Sequence, residues 1–415
     1  MSMNKPLRKL LLSLAIGCVS LIGIQQPAVA AEPATTILLD GYPLPFPTPP
    51  TITNGSTMVP FRAISEAMGI QVDWDAQTQS ITAVQSTAAG DRTVLMHVNN
   101  PLVTVNGQTI TLPVAPYVDN GSTLIPLRFF SEQFGAQVGW NADTRTVSIV
   151  SPVRDMYGLT FYAISSFSQR ELMSNFDSVA FGWSRIDQNG NLTLTGNDFY
   201  WPKPAGETTP ESIIADVKMN GSTPYLMVFA GDANGELTAL LEDASLREKA
   251  ISQMLTLVQE KGMSGIALDF EGLGMNGDVT GVKAKYNEFV QLLSAETRQR
   301  GIQLTLILHP LNGAYKGYDY AALGQMADDL VIMAYAYEGE KGPEPMNRVD
   351  EAIRMALTQV PKEKLILGIS MGSENESTVN QKIGLAKRYN LKGYAIWRLG
   401  LINQASMEQI NKSVQ

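Results

Sequence analysis

Residues 265–272 have the sequence Gly-Ile-Ala-Leu-Asp-Phe-Glu-Gly, the pattern of a buried β-strand that ends in two acidic residues. Because side chains alternate along a strand, Asp269 and Glu271 are expected to point to the same face. Two carboxylates at that distance raise the pKa of one another, and a protonated acid beside an ionised one suits general acid catalysis. For an isolated Asp-x-Glu sequence, the simpler interpretation is a solvated turn at the end of a strand. The rest of the chain has to decide between these two interpretations.

The first 30 residues have the pattern of a secretory signal peptide. Three basic residues, Lys5, Arg8 and Lys9, precede an apolar run from Leu10 to Ile24, and Ala28-Val29-Ala30 fits a cleavage site. The apolar run is short for a membrane-spanning helix, so a retained anchor is disfavoured. We therefore expect cleavage after this site and a secreted protein that is extracellular or associated with the cell wall.

Composition restricts the partners of the mature chain. The 415 residues carry a formal charge of −9, which becomes −12 when the three basic residues of the signal segment are removed. An acidic secreted protein is a poor candidate for binding nucleic acid or anionic lipid. The single cysteine, Cys18, lies in the signal segment, where lipoprotein attachment is disfavoured. The mature protein would therefore lack disulfides and thiolate metal sites, and its length predicts two or three domains.

An internal repeat with an offset of 66 residues defines the first domain. Residues 54–62, Asn-Gly-Ser-Thr-Met-Val-Pro-Phe-Arg, recur at 120–128 as Asn-Gly-Ser-Thr-Leu-Ile-Pro-Leu-Arg, and Trp74 matches Trp140. Each copy predicts a turn at Asn-Gly, a short strand, a helix ended by Gly, and a hairpin around the tryptophan. We expect both tryptophans to be core anchors.

Residues 35–151, which contain both repeats, resemble the copper amine oxidase N-terminal domain-like stalk modules of secreted bacterial proteins. The resemblance implies a spacer or attachment module, and contact with cell-wall polymer is one option. Copper sites use mainly imidazole and sulfur ligands, whereas the whole chain has only His97 and His309. We therefore expect neither copper nor any other cofactor.

From residue 152 to residue 415, apolar strands alternate with helical patterns, which is typical of a parallel α/β architecture. The predicted strands are Leu159–Ile164, Ser178–Trp183, Tyr225–Phe229, Gly265–Phe270, Gln303–Leu308, Leu330–Ala334, Leu365–Ile369 and Tyr394–Trp397. Helices are predicted at Leu246–Lys261, Val282–Arg300, Tyr320–Ala327, Asp350–Gln359 and Val379–Tyr389. This pattern predicts a (β/α)8 TIM barrel behind a small α+β repeat domain. Active sites of such barrels lie at the carboxyl ends of the strands, where Asp269 and Glu271 end strand four.

Several separated segments of residues 155 to about 405 resemble glycoside hydrolase family 18. They are the strand-four segment 265–271, Met333-Ala334-Tyr335 at strand six, Met355 to Ile369 around strand seven, and Ala395 to Gly400 at strand eight. The most similar branch comprises bacterial wall and spore-cortex glucosaminidases of the germination type. Four matching segments in the correct order are much more specific than one short motif.

The resemblance implies a retaining mechanism in which the 2-acetamido group of the substrate attacks the anomeric carbon. Glu271 would be the general acid and base, and Asp269 would orient the acetamido group. Tyr335 would donate its hydroxyl to the acetamido carbonyl, and Trp397 would form the floor of the sugar pocket. The implied substrate contains N-acetylglucosamine, with peptidoglycan favoured and a chitin-like polymer as the other option. The rival interpretation is a catalytically weak or inactive wall-binding protein on the same barrel.

Other aromatic residues at or just beyond strand ends are candidates for sugar stacking, although some of them must be packing residues. These candidates are Tyr162, Trp183, Trp201 and Tyr337. His309, after strand five, is expected either to line the cleft or to cap a turn.

The sequence departs from the fullest family pattern at three positions. Ala267 and Ser264 stand where relatives often carry Asp, which shortens the carboxylate relay behind Asp269. Ala336 stands where relatives commonly carry Asp or Glu, and Glu338 could reach into the cleft instead. A surface glutamate in a loop is the simpler interpretation of Glu338.

Overall fold

The computed structural model describes residues 34–87, 90–275, 277–337 and 339–415. The predicted signal segment lies outside these ranges, and so does Glu338. Residues Thr35–Gln415 form one compact unit. In the described ranges, no helix combines the length and the apolar character needed to cross a bilayer.

The stalk module, residues 35–151, is built mainly from short strands. The strands are β1 (Thr36–Leu39), β2 (Tyr42–Pro43), β3 (Thr51–Thr53), β4 (Ser56–Pro60), β5 (Gln71–Asp75), β6 (Ser80–Thr87), β7 (Gly90–His97), β8 (Leu102–Val105), β9 (Gln108–Thr111), β10 (Tyr117–Asp119), β11 (Ser122–Pro126), β12 (Gln137–Asn141) and β13 (Thr146–Val150). The helices are α1 (Phe61–Ala67) and α2 (Leu127–Gln133).

The two repeats pair around a pseudo-twofold axis. Strands β4 and β11 are antiparallel, with Val59 opposite Ile125, and these two residues occupy equivalent positions of the repeat. Each strand also forms a hairpin with the strand before it, through an Asn-Gly turn in which both residues have positive φ, as type I′ turns require. Strand β1 pairs in parallel with β13, so the first and last strands of the module are neighbours.

The two equivalent tryptophans have different environments. Trp74 is partly buried, and its ring centroid lies 6.4 Å from that of Phe61. Trp140 is 42% exposed and lines a surface groove of about 500 Å³ together with Leu127, the residue equivalent to Phe61. The expectation that both tryptophans anchor the core is therefore wrong for Trp140.

The rest of the described chain alternates strands and helices. The strands are β14 (Tyr157–Tyr162), β15 (Ser178–Ile186), β16 (Leu192–Thr193), β17 (Thr223–Ala230), β18 (Gly265–Phe270), β19 (Gln303–Leu308), β20 (Asp329–Met333), β21 (Leu365–Ser370) and β22 (Gly393–Trp397). The helices are α3 (Pro210–Met219), α4 (Glu236–Glu242), α5 (Ala244–Glu260), α6 (Val279–Gln299), α7 (Tyr320–Met326), α8 (Met346–Leu357), α9 (Val379–Arg388) and α10 (Gln404–Ser413). Short 3₁₀ segments lie at Phe167–Asn175, Lys362–Lys364 and Leu399–Leu401.

Eight of these strands close into a parallel barrel, which confirms the predicted TIM-barrel fold. The strand order is β14-β22-β21-β20-β19-β18-β17-β15, and parallel pairing of β14 with β15 completes the ring. The short strand β16 extends antiparallel from β15 outside the ring. After the first barrel strand, the segment Phe167–Asn175 forms a 3₁₀ helix in place of an α-helix.

The strands bury side chains on both faces, as parallel sheets do. The lumen of the barrel is filled by one apolar cluster that includes Phe161, Met227, Ala267 and Val331. The opposite faces of the strands pack against the surrounding helices in a second, larger cluster. The same alternation decides which residues at the strand ends can reach a site in the lumen.

Polar N-cap side chains set the start of several barrel helices. The side chain of each cap accepts a hydrogen bond from a backbone N–H of the first turn, which satisfies a donor that has no partner within the helix. These caps are Thr209 before α3, Asp243 before α5, Asp278 before α6, Asp319 before α7 and Asn403 before α10.

The stalk module packs directly on the barrel through half-buried arginines at and near the end of α9. The guanidinium of Arg388 donates hydrogen bonds to the carbonyl oxygens of Leu39, Tyr42 and Pro43 at 2.9–3.2 Å. From the linker between the two domains, Arg154 donates to the carbonyl of Met68 at 2.9 Å and also to groups of the barrel. The module is thus fixed to the barrel by charge-assisted hydrogen bonds.

Candidate active site

The two acidic residues of strand β18 lie together at the carboxyl end of the barrel. Ala267 belongs to the lumen cluster, and Asp269 and Glu271 follow it at alternate positions, so all three share the inner face. Phe270 points to the other face, where its ring packs 5.4 Å from that of Phe289. The backbone N–H of Glu271 donates to Ala230 at 2.8 Å, which holds this residue at the rim.

The carboxyl groups of Asp269 and Glu271 share a hydrogen bond. Burial raises the pKa of Asp269 well above its usual value, and the charge of Glu271 raises it further. Burial also raises the pKa of Glu271, whereas the hydrogen bond from Asp269 opposes that rise. Since burial disfavours a second negative charge, the pair retains a proton at a pH where a free carboxylic acid has lost it.

Tyr335 follows strand β20 and lies beside both acids. Burial, followed by the charges of Asp269 and Glu271, raises the pKa of its phenol well above 10. The hydroxyl therefore stays protonated and can donate a hydrogen bond. Gly368 on β21 leaves room for this ring, because a Cβ at that position would stand 3.1 Å from Cε1 of Tyr335.

His309 lies beside Glu271, just after strand β19. Its Nε2 is 3.7 Å from Oε2 of Glu271 and has no hydrogen-bond partner within the described ranges. The imidazole packs at 4.2 Å on the ring of Tyr315, and burial lowers its pKa to about 4. His309 thus lines the cleft as a neutral imidazole at neutral pH, which settles the alternatives that the sequence left open.

Trp397 ends strand β22 and borders the same space. Its ring lies 5.4 Å from that of Phe161 and 6.3 Å from that of Phe199. Phe199 in turn stacks at 4.2 Å on Phe229, so three aromatic residues support the indole. The signal for Phe199 was weak in the sequence, because it lies in a long segment between two strands and not at a strand end.

Two of the predicted sugar-stacking residues lie on the other face of the strands. Tyr162 and Trp183 are each 4% exposed and pack between the barrel and its helices, with ring centroids 5.3 Å apart. Trp201 packs on Trp183 at 5.3 Å. These residues border a groove of about 830 Å³ beside the barrel mouth, but they do not join the group around Glu271. Strand alternation explains the difference, because their inward-facing neighbours are Ala163 and Gly182.

Tyr337 is buried beside the site as a packing residue. Its hydroxyl donates to Oδ1 of Asn312 at 3.1 Å, and the guanidinium of Arg348 lies 4.0 Å from its ring centroid. These contacts leave little of the ring for a sugar. Glu338, the next predicted residue, lies outside the described residues.

The matched families correspond to the two parts of the chain. Residues 158–383, more than half of the chain, match the model for glycosyl hydrolases family 18, and residues 38–149 match the model for the copper amine oxidase N-terminal domain. The chain belongs to glycoside hydrolase family 18. Both resemblances drawn from the sequence are thereby confirmed.

Relatives within this family share the barrel more than the sequence. A cortical fragment-lytic enzyme of Bacillus anthracis is 29% identical over 178 residues, which are 39% of this chain and 40% of that protein. The chain thus spans less than half of this relative's length. The spore cortex-lytic enzyme SleL of Bacillus megaterium superimposes with a TM-score of 0.52 at 15% identity, covering 63% of this chain and 75% of that one. A chitinase of Chromobacterium violaceum superimposes with a TM-score of 0.52 at 21% identity, covering 62% of this chain and 98% of that one.

One departure from the family 18 pattern has a visible consequence in the site. Ala267 is buried where relatives often carry Asp, and Oδ1 of Asp269 has no hydrogen-bond partner among the residues described. Asp269 therefore has Glu271 as a carboxyl neighbour but lacks the second one that an Asp at position 267 would supply. Ser264 is exposed at the opposite end of β18, away from the site. A cluster of three or more metal-binding side chains is not found in the described ranges.

Proposed function

We propose that this protein is a secreted retaining glycoside hydrolase that cleaves N-acetylglucosamine-containing glycan, with peptidoglycan as the favoured substrate. The observation that carries the proposal is the hydrogen-bonded pair of Asp269 and Glu271 at the carboxyl end of β18 in a family 18 barrel. An acid with a raised pKa at that end of a TIM barrel is what protonation of a glycosidic oxygen requires.

Glu271 is the general acid and base in this proposal. Its side chain is 36% exposed at the barrel mouth, so it can reach the glycosidic oxygen of a bound sugar. Its raised pKa keeps more of it protonated than a free glutamic acid at the same pH, and after the sugar has left it can accept a proton from water. The neutral His309 beside it adds no positive charge, which would lower the pKa of Glu271.

Asp269, Tyr335 and Trp397 hold the substrate in this mechanism. Asp269 is 3% exposed and engaged with Glu271, so it is suited to hold the acetamido nitrogen and to stabilise the cationic oxazolinium. Tyr335, protonated beside both acids, donates to the acetamido carbonyl oxygen as that oxygen attacks the anomeric carbon. The indole face of Trp397 forms the floor of the pocket.

The names of the relatives favour peptidoglycan over chitin. The relative that matches in sequence is named for lysis of cortical fragments, and one of the two solved structures reported above for lysis of spore cortex, whereas the other is a chitinase. The signal pattern of residues 1–30 and the stalk module fit an enzyme that works outside the membrane and is attached to the wall. The stalk module would keep the barrel near its polymer.

The test is digestion of purified peptidoglycan and of chitin, with products identified by mass spectrometry. The wild-type chain is expected to release reducing ends with N-acetylglucosamine at the new terminus, and NMR should show the β-anomer first. Glu271→Gln should abolish release and preserve binding, because it removes the proton donor and keeps the shape. Glu296→Gln, on the surface of α6, is the matched control and should be fully active.

The rival function is that of a wall-binding protein without turnover, which the alanines at 267 and 336 favour. It predicts that the wild-type chain and Glu271→Gln bind glycan equally and that neither releases products. Absence of release from both substrates by the wild-type chain would overturn the hydrolase proposal.

A further inference from the structure

Behind Tyr335, away from the cleft, lies a set of three buried charged residues that the proposed mechanism does not use. Glu344 precedes α8, Glu374 follows β21, and Lys382 lies on α9, and each is at most 6% exposed. Together with Tyr335 they line a space of only about 10 Å³, so these side chains are in close contact. Charges this deeply buried are costly unless they are paired and hydrogen-bonded.

The contacts link the three residues to the backbone beside Tyr335. Oε1 of Glu344 accepts the backbone N–H of Ala336 at 3.0 Å. Oε1 of Glu374 accepts the backbone N–H of Glu344 at 2.8 Å. Nζ of Lys382 donates to the carbonyl of Glu344 at 2.7 Å and lies 3.4 Å from Oε1 of Glu374. Glu344 is thus held at both of its backbone groups, which fixes its carboxylate against the loop.

The loop that Glu344 holds has an unfavourable backbone conformation. Ala336 has a φ of +55°, in the left-handed region that favours glycine. A residue with a Cβ remains there only when surrounding contacts impose it. The hydrogen bond from its N–H to Glu344 is such a contact. This N–H belongs to the peptide group that joins Tyr335 to Ala336, so the bond restrains the backbone of Tyr335, from which the phenol projects.

We propose that Glu344 is a positioning residue for Tyr335, held in place by Glu374 and Lys382. The proposal rests on the proposed function in one respect, that Tyr335 contacts the acetamido group of the substrate. The carboxylate near this loop comes from Glu344, on a different segment of the chain.

A purely structural role for Glu344 is distinguished from positioning by a double-mutant cycle with Tyr335. Glu344→Ala removes the acceptor of the Ala336 N–H, whereas Glu344→Gln keeps an acceptor oxygen. We expect Glu344→Ala to lower kcat by at least 10-fold with KM changed less than 3-fold. Glu344→Gln should retain most of the wild-type kcat. In the Tyr335→Phe background, Glu344→Ala should lower kcat less than 3-fold, because the hydroxyl that Glu344 positions is absent. Glu363→Ala, in the 3₁₀ turn before β21, is the surface control.

The cycle is measured with a soluble N-acetylated chito-oligosaccharide, both as turnover and as Kd by calorimetry, with folding checked by circular dichroism. Equal losses from Glu344→Ala in the wild-type and Tyr335→Phe backgrounds would overturn the positioning role, as would wild-type rates in folded Glu344→Ala. If the wild-type chain binds the oligosaccharide without cleaving it, the hydrolase proposal fails. The cycle in Kd then still decides the role of Glu344, since Tyr335 would contact the bound sugar.

Discussion

Nε2 of His309 lies 3.7 Å from Oε2 of Glu271, whose carboxyl group also interacts with that of Asp269. The imidazole is buried and its pKa is lowered to about 4. The neighbours of Glu271 thus include a carboxyl group and a neutral imidazole ring. Neither neighbour supplies a positive charge, which keeps the pKa of Glu271 in the raised range that a general acid needs.

This arrangement predicts a pH-dependent stability difference between the wild-type chain and His309→Asn. The unfolded chain binds a proton at His309 below pH 6.5, whereas the folded chain binds it only near pH 4, so the wild-type protein loses stability as the pH falls between these values. In this pH range, the free energy of unfolding of the wild-type protein should fall more steeply than that of His309→Asn, by up to about 1.4 kcal/mol per pH unit.

The measurement is urea unfolding of both proteins at pH 7.0 and pH 5.0. His97→Asn, on β7 of the stalk module, is the matched control because it removes the only other histidine of the sequence. The same pH dependence in both variants would contradict the assignment to His309.

Asp269→Asn should trade activity for stability. The raised pKa of Asp269 means that the folded chain keeps a proton that the unfolded chain releases near pH 4, so the wild-type protein loses stability as the pH rises through the folded pKa. Asparagine carries no titratable proton, so Asp269→Asn does not lose stability in this way. We expect Asp269→Asn to be more stable than wild type by about 1–2 kcal/mol at pH 7.5, less so at pH 4.5, and inactive. Thermal unfolding at both pH values checks this; a pH-independent difference would refute it.

The repeated tryptophans provide a matched pair for a test of packing. Trp74→Ala removes a partly buried indole that packs on Phe61, whereas Trp140→Ala removes one that is 42% exposed. We expect Trp74→Ala to cost about 3 kcal/mol of unfolding free energy and Trp140→Ala at least about 1 kcal/mol less. Chemical denaturation of the two variants decides the matter. Equal losses would mean that the exposed groove at Trp140 is closed in solution.

Arg388 should couple the unfolding of the stalk module to that of the barrel. Arg388→Met keeps the apolar stem and removes the hydrogen bonds to three stalk carbonyls, for an expected loss of about 2–3 kcal/mol. The control Arg300→Met, which breaks a surface pair with Glu296, should cost under about 1 kcal/mol. Limited proteolysis near residue 152 should also become faster in Arg388→Met alone. If both variants behave alike, the stalk module is not stabilised by this contact.

This interface changes the expected result of removing the stalk module. From the sequence, we expect deletion of residues 31–151 to lower retention on the wall and to spare hydrolysis of a soluble substrate. Deletion would also remove the carbonyl oxygens of Leu39, Tyr42 and Pro43 that accept hydrogen bonds from Arg388. A loss of barrel stability is therefore expected in addition to any loss of retention, and the melting temperature of the truncated chain must be compared with that of the full chain.

The barrel was predictable because parallel strands carry dense apolar runs between turn residues. All eight barrel strands were predicted within two residues of their observed starts, and the acid pair follows from alternation along β18. Tyr162 and Trp183 were misplaced because alternation at a strand end depends on register, and a residue one position away faces the other side of the sheet. Glu344 had no local signal, because it reaches Tyr335 from a different segment of the chain.

Strand β14 pairs with β22, and the backbone of Gln415 donates to Arg154 at 3.1 Å. The ring that carries the acid pair is therefore closed by two strands that lie far apart in the sequence. An excised piece without β22 would lack both the seam that closes the ring and Trp397. The site thus belongs to the complete barrel and not to any local segment of the chain.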